Sequence, residues 1–172
     1  GRALAPDPVS TGPVLIVFAG LPGVGKSTLA RRVGAALPAP VLPVDPIERA
    51  YGATGPQAYR AVAELAELQL GLGLPVIVDA VNPVTESREL WLDLADRATV
   101  PLRVVEVWCA DEDEHRRRIE ARQAADPAYA DVDWVRVLER RAEYQPYVGR
   151  RVVVDTTVPG DPLQSLLDYL RA

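Results

Sequence analysis

One glycine-rich segment combines the residue types and the spacing that bind phosphate. Residues 20–27 read GLPGVGKS, and they fill every fixed position of the pattern G-x-x-x-x-G-K-[ST]. In such a loop, backbone N–H groups close around phosphate oxygens at the positive end of the following helix. The sequence therefore predicts a phosphate-binding loop for a nucleotide. Its predicted contact residues are Gly20, Leu21, Pro22, Gly23, Val24, Gly25, Lys26, Ser27 and Thr28.

The residues around this motif agree with that interpretation. The apolar run 14–19 comes directly before the loop and predicts a buried strand that turns sharply into a helix. An ordinary glycine-rich turn would not explain a lysine and a hydroxyl residue at these two positions. We expect Lys26 to reach the β- and γ-phosphates and the Ser27 hydroxyl to bind Mg²⁺. ATP and Mg²⁺ are the predicted ligands, and because Lys26 should face them, its replacement should leave the fold intact.

Three carboxylates end predicted strands, and ligands of open parallel sheets bind beyond such strand ends. Asp79 follows the apolar residues 76–78 and is a predicted partner of Mg²⁺. Asp45 follows a short strand and is the predicted general base, because a carboxylate there would orient and deprotonate an acceptor hydroxyl. Each of the two could instead cap the helix that follows it. For Asp155, at the end of the last strand, capping is the favoured interpretation.

A charged helix late in the chain supplies the cations that phosphate transfer requires. Arg118 and Arg122 are four positions apart and share one helix face, where planar guanidinium groups would form paired hydrogen bonds with phosphate oxygens. Arg116 is expected on the solvated face of the same helix. His115 is predicted to be an exposed helix residue, and Cys109 a small buried one.

Strands and helices alternate along the chain. The predicted strands cover residues 14–19, 41–44, 75–79, 102–108 and 152–155, and the predicted helices cover 26–37, 57–70, 85–98, 112–124, 133–144 and 162–171. Several of these strands are continuous apolar runs, which is typical of strands covered on both faces. The pattern therefore predicts an α/β fold of the P-loop NTPase type, with a five-stranded parallel sheet and helices on both faces.

One segment between two predicted helices resists assignment to either. Residues 123–132 are small and polar and are interrupted by Pro127. They form either a surface loop or a mobile lid over the nucleotide. The lid is favoured because arginines lead into it, so a lid at 122–132 would carry Arg122 to the transferring phosphate.

Composition and charge restrict the possible partners. The 172 residues are 48% hydrophobic, and their mean hydropathy is near zero. This composition predicts one soluble domain at residues 13–172. Residues 1–12 are interpreted as a leader or an expression remnant. No apolar run reaches membrane-spanning length, so a cytoplasmic protein without a membrane partner is expected. The net charge of −5 makes nucleic acid a less favoured partner, because backbone phosphates are bound mainly by Lys and Arg. The sequence indicates no oligomeric state.

Three further segments resemble those of a known group of kinases. They are VIVDAVNPVTESR at 76–88, RIEAR at 118–122 and VVVDTT at 152–157. Together with the phosphate loop, they are similar to the small P-loop kinases that include the 5′-hydroxyl polynucleotide kinases, the zeta-toxin-like kinases and chloramphenicol phosphotransferase. The resemblance extends over residues 14–170.

This resemblance implies a role for each of four polar side chains. Asp45 would be the catalytic base, and Arg88 would support the acceptor side. Arg118 would contact the nucleotide, and Arg122 would approach the transferring phosphate. The chain departs from the polynucleotide kinases in one place, since they carry an arginine three residues after the base, where this chain has glutamate and the arginine follows one residue later. This departure argues against a nucleic-acid 5′ end as the acceptor.

The predicted function is transfer of the γ-phosphate of ATP to a hydroxyl of a small molecule, such as an antibiotic, a nucleoside or a sugar. Two alternatives stay open, namely a 5′-hydroxyl nucleic-acid kinase and a nucleotide-binding switch or accessory ATPase. A nucleotide switch needs no base for an acceptor hydroxyl, so the presence of Asp45 favours a kinase over a switch. The acceptor pocket is predicted within residues 46–75, where Tyr51, Tyr59 and Gln69 could line it.

Overall fold

The computed structural model describes residues 12–52 and 55–172. Within them, one sheet of five parallel strands is formed by β1 (Leu15–Ala19), β2 (Val41–Pro43), β3 (Val76–Asp79), β4 (Leu102–Trp108) and β5 (Val152–Asp155). The α-helices of the described residues are α1 (Lys26–Ala36), α2 (Asp45–Tyr51), α3 (Gly55–Gly71), α4 (Thr85–Ala98), α5 (Glu112–Ala125), α6 (Trp134–Glu143) and α7 (Leu163–Arg171). A short 3₁₀ turn covers Pro127–Tyr129. The predicted α/β fold with a five-stranded parallel sheet is confirmed.

Two apolar clusters, one on each face of the sheet, hold the helices in place. Alternate residues of β1 point to opposite faces, as in any strand, so Ile16 and Phe18 join one cluster while Leu15 and Val17 join the other. None of these four side chains has exposed surface. Helices α1 and α7 cover the first face, and α3 and α4 cover the second. The central strand is therefore a rigid support for the loop that follows it.

The strand order β2-β3-β1-β4-β5 places β1 at the centre of the sheet. Ile16 of β1 lies opposite Ile77 of β3 on one side and Arg103 of β4 on the other. Strands β2 and β3 lie on one side of β1, and the later strands β4 and β5 lie on the other side. Such a change of direction opens a crevice beyond the carboxyl end of the central strand. The phosphate loop lies at that point.

Helix α2 is an element that the sequence prediction lacks. Asp45 is its first residue, Pro46 lies in its first turn, where proline is tolerated, and Gly52 ends it with φ 58°. These start and stop signals are easy to miss in a helix of seven residues. The segment 122–132 is also more regular than predicted, because α5 continues to Ala125 and the 3₁₀ turn follows.

Two other expectations concern the ends and the surroundings of the chain. Apart from Gly12, the predicted leader at residues 1–12 lies outside the described residues. No helix in the described part of the chain has the length and apolar character needed to cross a membrane.

Candidate active site

The phosphate loop between β1 and α1 depends on two of its glycines. A Cβ atom at Gly20 would lie 2.5 Å from the backbone oxygen of Val107, so a larger residue would collide with β4. Gly25 precedes α1 with φ 95°, a left-handed conformation that glycine adopts without steric cost. The loop therefore wraps closely around the N-terminus of α1, where the helix dipole favours an anion.

A cavity of about 960 Å³, called here the nucleotide cavity, opens over this loop. Its other wall is formed by β5 and the segment that follows it, up to Leu166. A volume near the upper end of the usual range for small-molecule sites suits a nucleotide. The predicted loop residues that line it are Leu21, Pro22, Gly23, Gly25, Lys26, Ser27 and Thr28. Gly20 and the buried Val24 lie behind this lining.

Lys26 and Asp79 form a buried ion pair beneath the loop. Lys26 Nζ donates to Asp79 Oδ1, and the two side chains are only 7% and 5% exposed. Asp79, the last residue of β3, does not line the nucleotide cavity, whereas the exposed Ser27 does. The structure thus brings the predicted phosphate-binding cation next to the predicted partner of Mg²⁺.

Arg118 lines the nucleotide cavity and also braces the phosphate loop. Its Nη1 donates to the carbonyl oxygen of Val24 at 3.2 Å and to Thr156 Oγ1 at 2.8 Å. Its Nε donates to Glu114 Oε1 at 3.1 Å. Arg118 therefore connects α5, the loop and the segment after β5 in one hydrogen-bonded group.

A second cavity, of about 580 Å³, adjoins the first and is called here the acceptor cavity. It is bounded by α2, α3, the start of α4, the 3₁₀ turn and α6. Four side chains line both cavities, namely Pro22, Asp45, Arg122 and Tyr129. The two cavities therefore meet at a carboxylate, a guanidinium and an aromatic ring.

The acceptor cavity differs from the predicted pocket at 46–75 in most of its lining. Tyr59 lines it as expected, but Tyr51, which is 80% exposed, and Gln69 line neither cavity. Most lining residues come from outside 46–75, because α4 and α6 approach from distant parts of the chain. The Tyr59 hydroxyl accepts a hydrogen bond from the backbone N–H of Asn82 at 2.8 Å. Burial raises the pKa of Tyr59, so the hydroxyl keeps its proton as a donor.

Helix α2 brings two carboxylates to the acceptor cavity. Asp45 begins the helix and is partly exposed, and Glu48 follows one turn later. Burial raises the pKa of the Glu48 carboxyl, and the nearby charge of Asp45 raises it further. The helix therefore presents two proton-accepting groups close together on one side of the cavity.

Arg122 extends from α5 to the boundary of the two cavities. Its Cζ lies 4.2 Å from the centroid of the Tyr129 ring. Its Nε is buried without a hydrogen-bond partner among the described residues. Burial lowers the pKa of Arg122, and the negative charge of Asp45 opposes that shift. A partly desolvated guanidinium with a free N–H is suited to bind an anion.

Comparison with known proteins gives the family. A family model described as AAA domain matches residues 15–147. The chain belongs to this AAA domain family. No curated protein matches it significantly.

Solved structures share the fold of this AAA domain. Kti12 from Chaetomium thermophilum, in complex with ADP-AlF3, is 20% identical with a TM-score of 0.74, over 90% of this chain and 95% of that one. The APS kinase of Mycobacterium tuberculosis, in complex with AMPPNP and APS, is 22% identical with a TM-score of 0.69, over 94% and 99%. A gluconokinase from Sinorhizobium meliloti is 20% identical with a TM-score of 0.63, over 92% and 89%. The AAA domain thus has the fold of the P-loop kinases.

Arg88, predicted on the acceptor side, lines neither cavity of the AAA domain. Its Nε donates to the Asn82 carbonyl at 3.0 Å, and its two terminal nitrogens donate to the carbonyls of Pro146 at 3.0 Å and Gln145 at 2.7 Å. The guanidinium also stacks on the Tyr147 ring at 4.0 Å. Because its N–H groups are bonded to backbone oxygens, Arg88 supports the wall behind the acceptor cavity instead of facing an acceptor.

His115 contradicts the expectation of an exposed helix residue. It is only 1% exposed, and its Nε2 donates to the carbonyl oxygen of Pro22 at 2.7 Å. The ring packs edge-on against Trp134 of α6, with 5.1 Å between centroids. The residues next to His115 in the sequence are charged, so the local sequence predicts an exposed position and gives no sign of this burial. Cys109 is buried, as predicted.

Asp155 does not cap the following helix, which corrects the interpretation favoured from the sequence, because α7 begins at Leu163 and its N-cap residue is Pro162. Its Oδ1 accepts hydrogen bonds from Thr157 Oγ1 at 2.6 Å and from the backbone N–H groups of Thr157 and Ala110. The hydrogen bonds from Thr157 lower the pKa of Asp155. Asp155 therefore stabilises the turn after β5, which forms one wall of the nucleotide cavity.

The residues of the nucleotide cavity fit a Mg²⁺–nucleotide complex. Gly20 lets the loop pass close to β4, and the left-handed Gly25 leads it into the N-terminus of α1, where an anion is favoured. Lys26 supplies a cation at the cavity. Ser27, which lines the cavity, and Asp79, which lies next to Lys26 beneath the loop, carry oxygen atoms of the kind that Mg²⁺ prefers. Bound there, Mg²⁺ would neutralise charge on the phosphates.

Proposed function

We propose that this AAA domain is an ATP-dependent phosphotransferase that moves the γ-phosphate of ATP to a hydroxyl of a small molecule. The observation that carries the proposal is the boundary between the two cavities, where Asp45 and Arg122 line both. A transferring enzyme needs a base and a cation between donor and acceptor. A nucleotide switch needs neither a second cavity nor a base in it.

The residues divide the chemistry between the two cavities. The acceptor hydroxyl would donate to Asp45, which takes its proton as the new O–P bond forms and the bond to ADP breaks. Arg122 would bind the oxygens of the phosphoryl group in transit. Lys26 would exchange its contact with Asp79 for the phosphates, while Arg118 holds the loop around them.

The charge of the acceptor cavity favours a small polar acceptor over nucleic acid. Its lining contains five arginines and five carboxylates, so the formal charges cancel. A groove for a nucleic-acid backbone would instead have an excess of cations. The fold likeness to APS kinase and gluconokinase supports a small-molecule acceptor as well.

Asp45→Asn tests the proposed base. The change keeps the shape of the side chain but removes the group that accepts the hydroxyl proton, so we expect transfer to fall roughly 10²–10⁴-fold. Nucleotide affinity should change little. The measurement is transfer of labelled γ-phosphate to a panel of sugars, nucleosides and hydroxyl-bearing antibiotics. Asp93→Asn, on the exposed side of α4, is the matched control. Unchanged transfer by Asp45→Asn would remove the base from the mechanism, and absence of transfer by the parent protein to any acceptor of the panel would favour the switch.

Arg122→Lys tests the proposed phosphate contact. Lysine keeps the charge but loses the planar pair of donors, so we expect a turnover loss of about 10- to 100-fold, the equivalent of one charge-assisted hydrogen bond. Arg116→Lys is the control, because Arg116 is exposed and bonded to Glu120. Equal turnover of the two variants would place Arg122 outside the reaction.

A further inference from the structure

Tyr129 lies where the two cavities meet, and its ring contacts arginines from two different helices. Cζ of Arg122, on α5, is 4.2 Å from the centroid of the Tyr129 ring, and Cζ of Arg49, on α2, is 5.1 Å from it. Both distances are within the range of cation–π contacts. Tyr129 is also one of the four residues that line both cavities. The ring therefore contacts two guanidinium groups from separate helices, at the place where the two cavities meet.

Local hydrogen bonds hold the turn that carries this ring. The Asp126 carboxylate accepts from the backbone N–H of Ala128 at 2.9 Å, and Gln123 Nε2 donates to the carbonyl of Ala130 at 2.9 Å. The backbone N–H of Asp126 donates to the carbonyl of Arg122 at 3.0 Å. Tyr129 is therefore fixed relative to the end of α5, although it lies in a connection between helices.

Stacking on Tyr129 orients Arg122 without using its hydrogen-bond donors. Among the described residues Arg122 has no ion pair, and its buried Nε has no partner. A guanidinium that is held through its face keeps the N–H groups at its edge free for phosphate oxygens. Arg88 and Arg118 differ in this respect, because their N–H groups already donate to protein oxygens. Of these three arginines, Arg122 is the one held in place and still able to bind an anion.

The same ring connects Arg122 to the helix that begins with Asp45. Asp45 and Arg49 are four residues apart on α2 and therefore lie on one side of it. Contact of Tyr129 with both arginines links the end of α5 to α2. It thus links the proposed phosphate-binding cation to the proposed base.

We propose that Tyr129 is a positioning residue, whose ring face holds the Arg122 guanidinium at the boundary of the cavities with its N–H edge toward the transferring phosphate. The proposal rests on the proposed function. Tyr129 itself touches no reacting atom and acts through Arg122.

Binding of a transition-state mimic tests this role without an acceptor. The probe is ADP with Mg²⁺, titrated by calorimetry in the presence and absence of aluminium fluoride, which takes the place of the transferring phosphoryl group. For Tyr129→Leu we expect binding about 2- to 30-fold weaker with aluminium fluoride, the range of a cation–π contact, and unchanged for ADP alone. Tyr129→Phe keeps the ring face and should bind both like the parent protein. Tyr51→Leu makes the same change at an exposed tyrosine that lines neither cavity, and it is the control.

Double variants distinguish positioning from a general structural role. In an Arg122→Ala background, Tyr129→Leu should cause no further loss of the aluminium fluoride complex, because the group that it orients is gone. The proposal is overturned if the two losses multiply, if Tyr129→Leu weakens ADP equally, if Tyr129→Phe is as damaging as Tyr129→Leu, or if Tyr129→Leu has no effect. Failure of the proposed function would show separately, as absence of phosphate transfer by the parent protein to every acceptor of the panel.

Discussion

At the scale of single residues, the Lys26–Asp79 ion pair joins stability to function. Both side chains are almost completely shielded from water, and they form an ion pair with each other. Removal of one member of such a pair leaves a buried charge without compensation, which is far more costly than the loss of an exposed pair. The expectation that Lys26 can be replaced without effect on the fold therefore needs correction.

Lys26→Met should lower the free energy of unfolding by about 3–5 kcal/mol in the absence of nucleotide, because it leaves Asp79 unpaired. The double variant Lys26→Met/Asp79→Asn should recover a large part of that loss. Urea unfolding monitored by tryptophan fluorescence gives both values. Arg32→Met breaks the exposed pair with Asp161 and should change stability little. A Lys26→Met protein as stable as its parent would show that the pair is not energetically coupled to the fold.

At the scale of elements, α5 supports the candidate active site with one face. His115 contacts the phosphate loop through the Pro22 carbonyl, Ile119 packs where a side chain at Gly23 would have to lie, and Arg122 reaches the boundary of the cavities. These residues recur at spacings of three and four, which is the period of one helix face. The helix therefore positions the loop and the proposed cation as one unit.

The burial of His115 predicts a pH dependence of stability. Burial lowers the pKa of His115 in the folded protein below the value of about 6.5 expected in the unfolded chain. The unfolded chain therefore takes up this proton first, and the contribution of the neutral ring is lost as the pH falls below about 6.5. The variant His115→Gln contains no histidine, because His115 is the only histidine in the sequence. It therefore serves as the comparison protein without this titrating group.

Unfolding free energies of parent and His115→Gln should therefore be compared between pH 8 and pH 5. We expect the stability advantage of the parent protein to shrink as the pH falls through this range. Groups that titrate in both proteins cancel in the comparison. An advantage that stays constant or grows toward pH 5 would contradict a neutral, buried His115.

At the scale of the whole molecule, the order of the strands places the two cavities on different sides of the central strand. The nucleotide cavity extends toward β5, and the acceptor cavity extends toward the elements that follow β2 and β3. The phosphate loop follows β1, which lies between these two halves of the sheet. The proposed transfer site thus coincides with the point where the strand order changes direction.

A Mg²⁺–ATP analogue should stabilise the whole molecule by mass action. At a hundred times its Kd the gain is about 2.7 kcal/mol, which should raise the unfolding temperature by roughly 5–10 °C. Asp45→Asn should keep this shift, and Lys26→Ala should lose most of it.

A single-stranded oligonucleotide should produce no shift at physiological salt. A shift with the oligonucleotide would favour the nucleic-acid kinase instead.

The sequence by itself determined the local features of this protein. The phosphate loop, the five strands and the carboxylates at their ends depend on residue type and short spacing, so they can be read along the chain. Apolar runs and helical periods identify the α/β class for the same reason. Helix α2 was missing from the sequence prediction because its start and stop signals occupy only a few residues.

Only the tertiary structure decided which of these features meet. The acceptor cavity is formed by α2, α3, α4 and α6. Two nitrogens of Arg88 donate to carbonyls almost sixty residues away, and His115 is buried against Trp134 of α6. Tyr129 contacts both Arg49 and Arg122, which come from separate helices. Burial and contact of this kind depend on packing between segments far apart in the chain. Residue type and spacing within one segment carry no record of it.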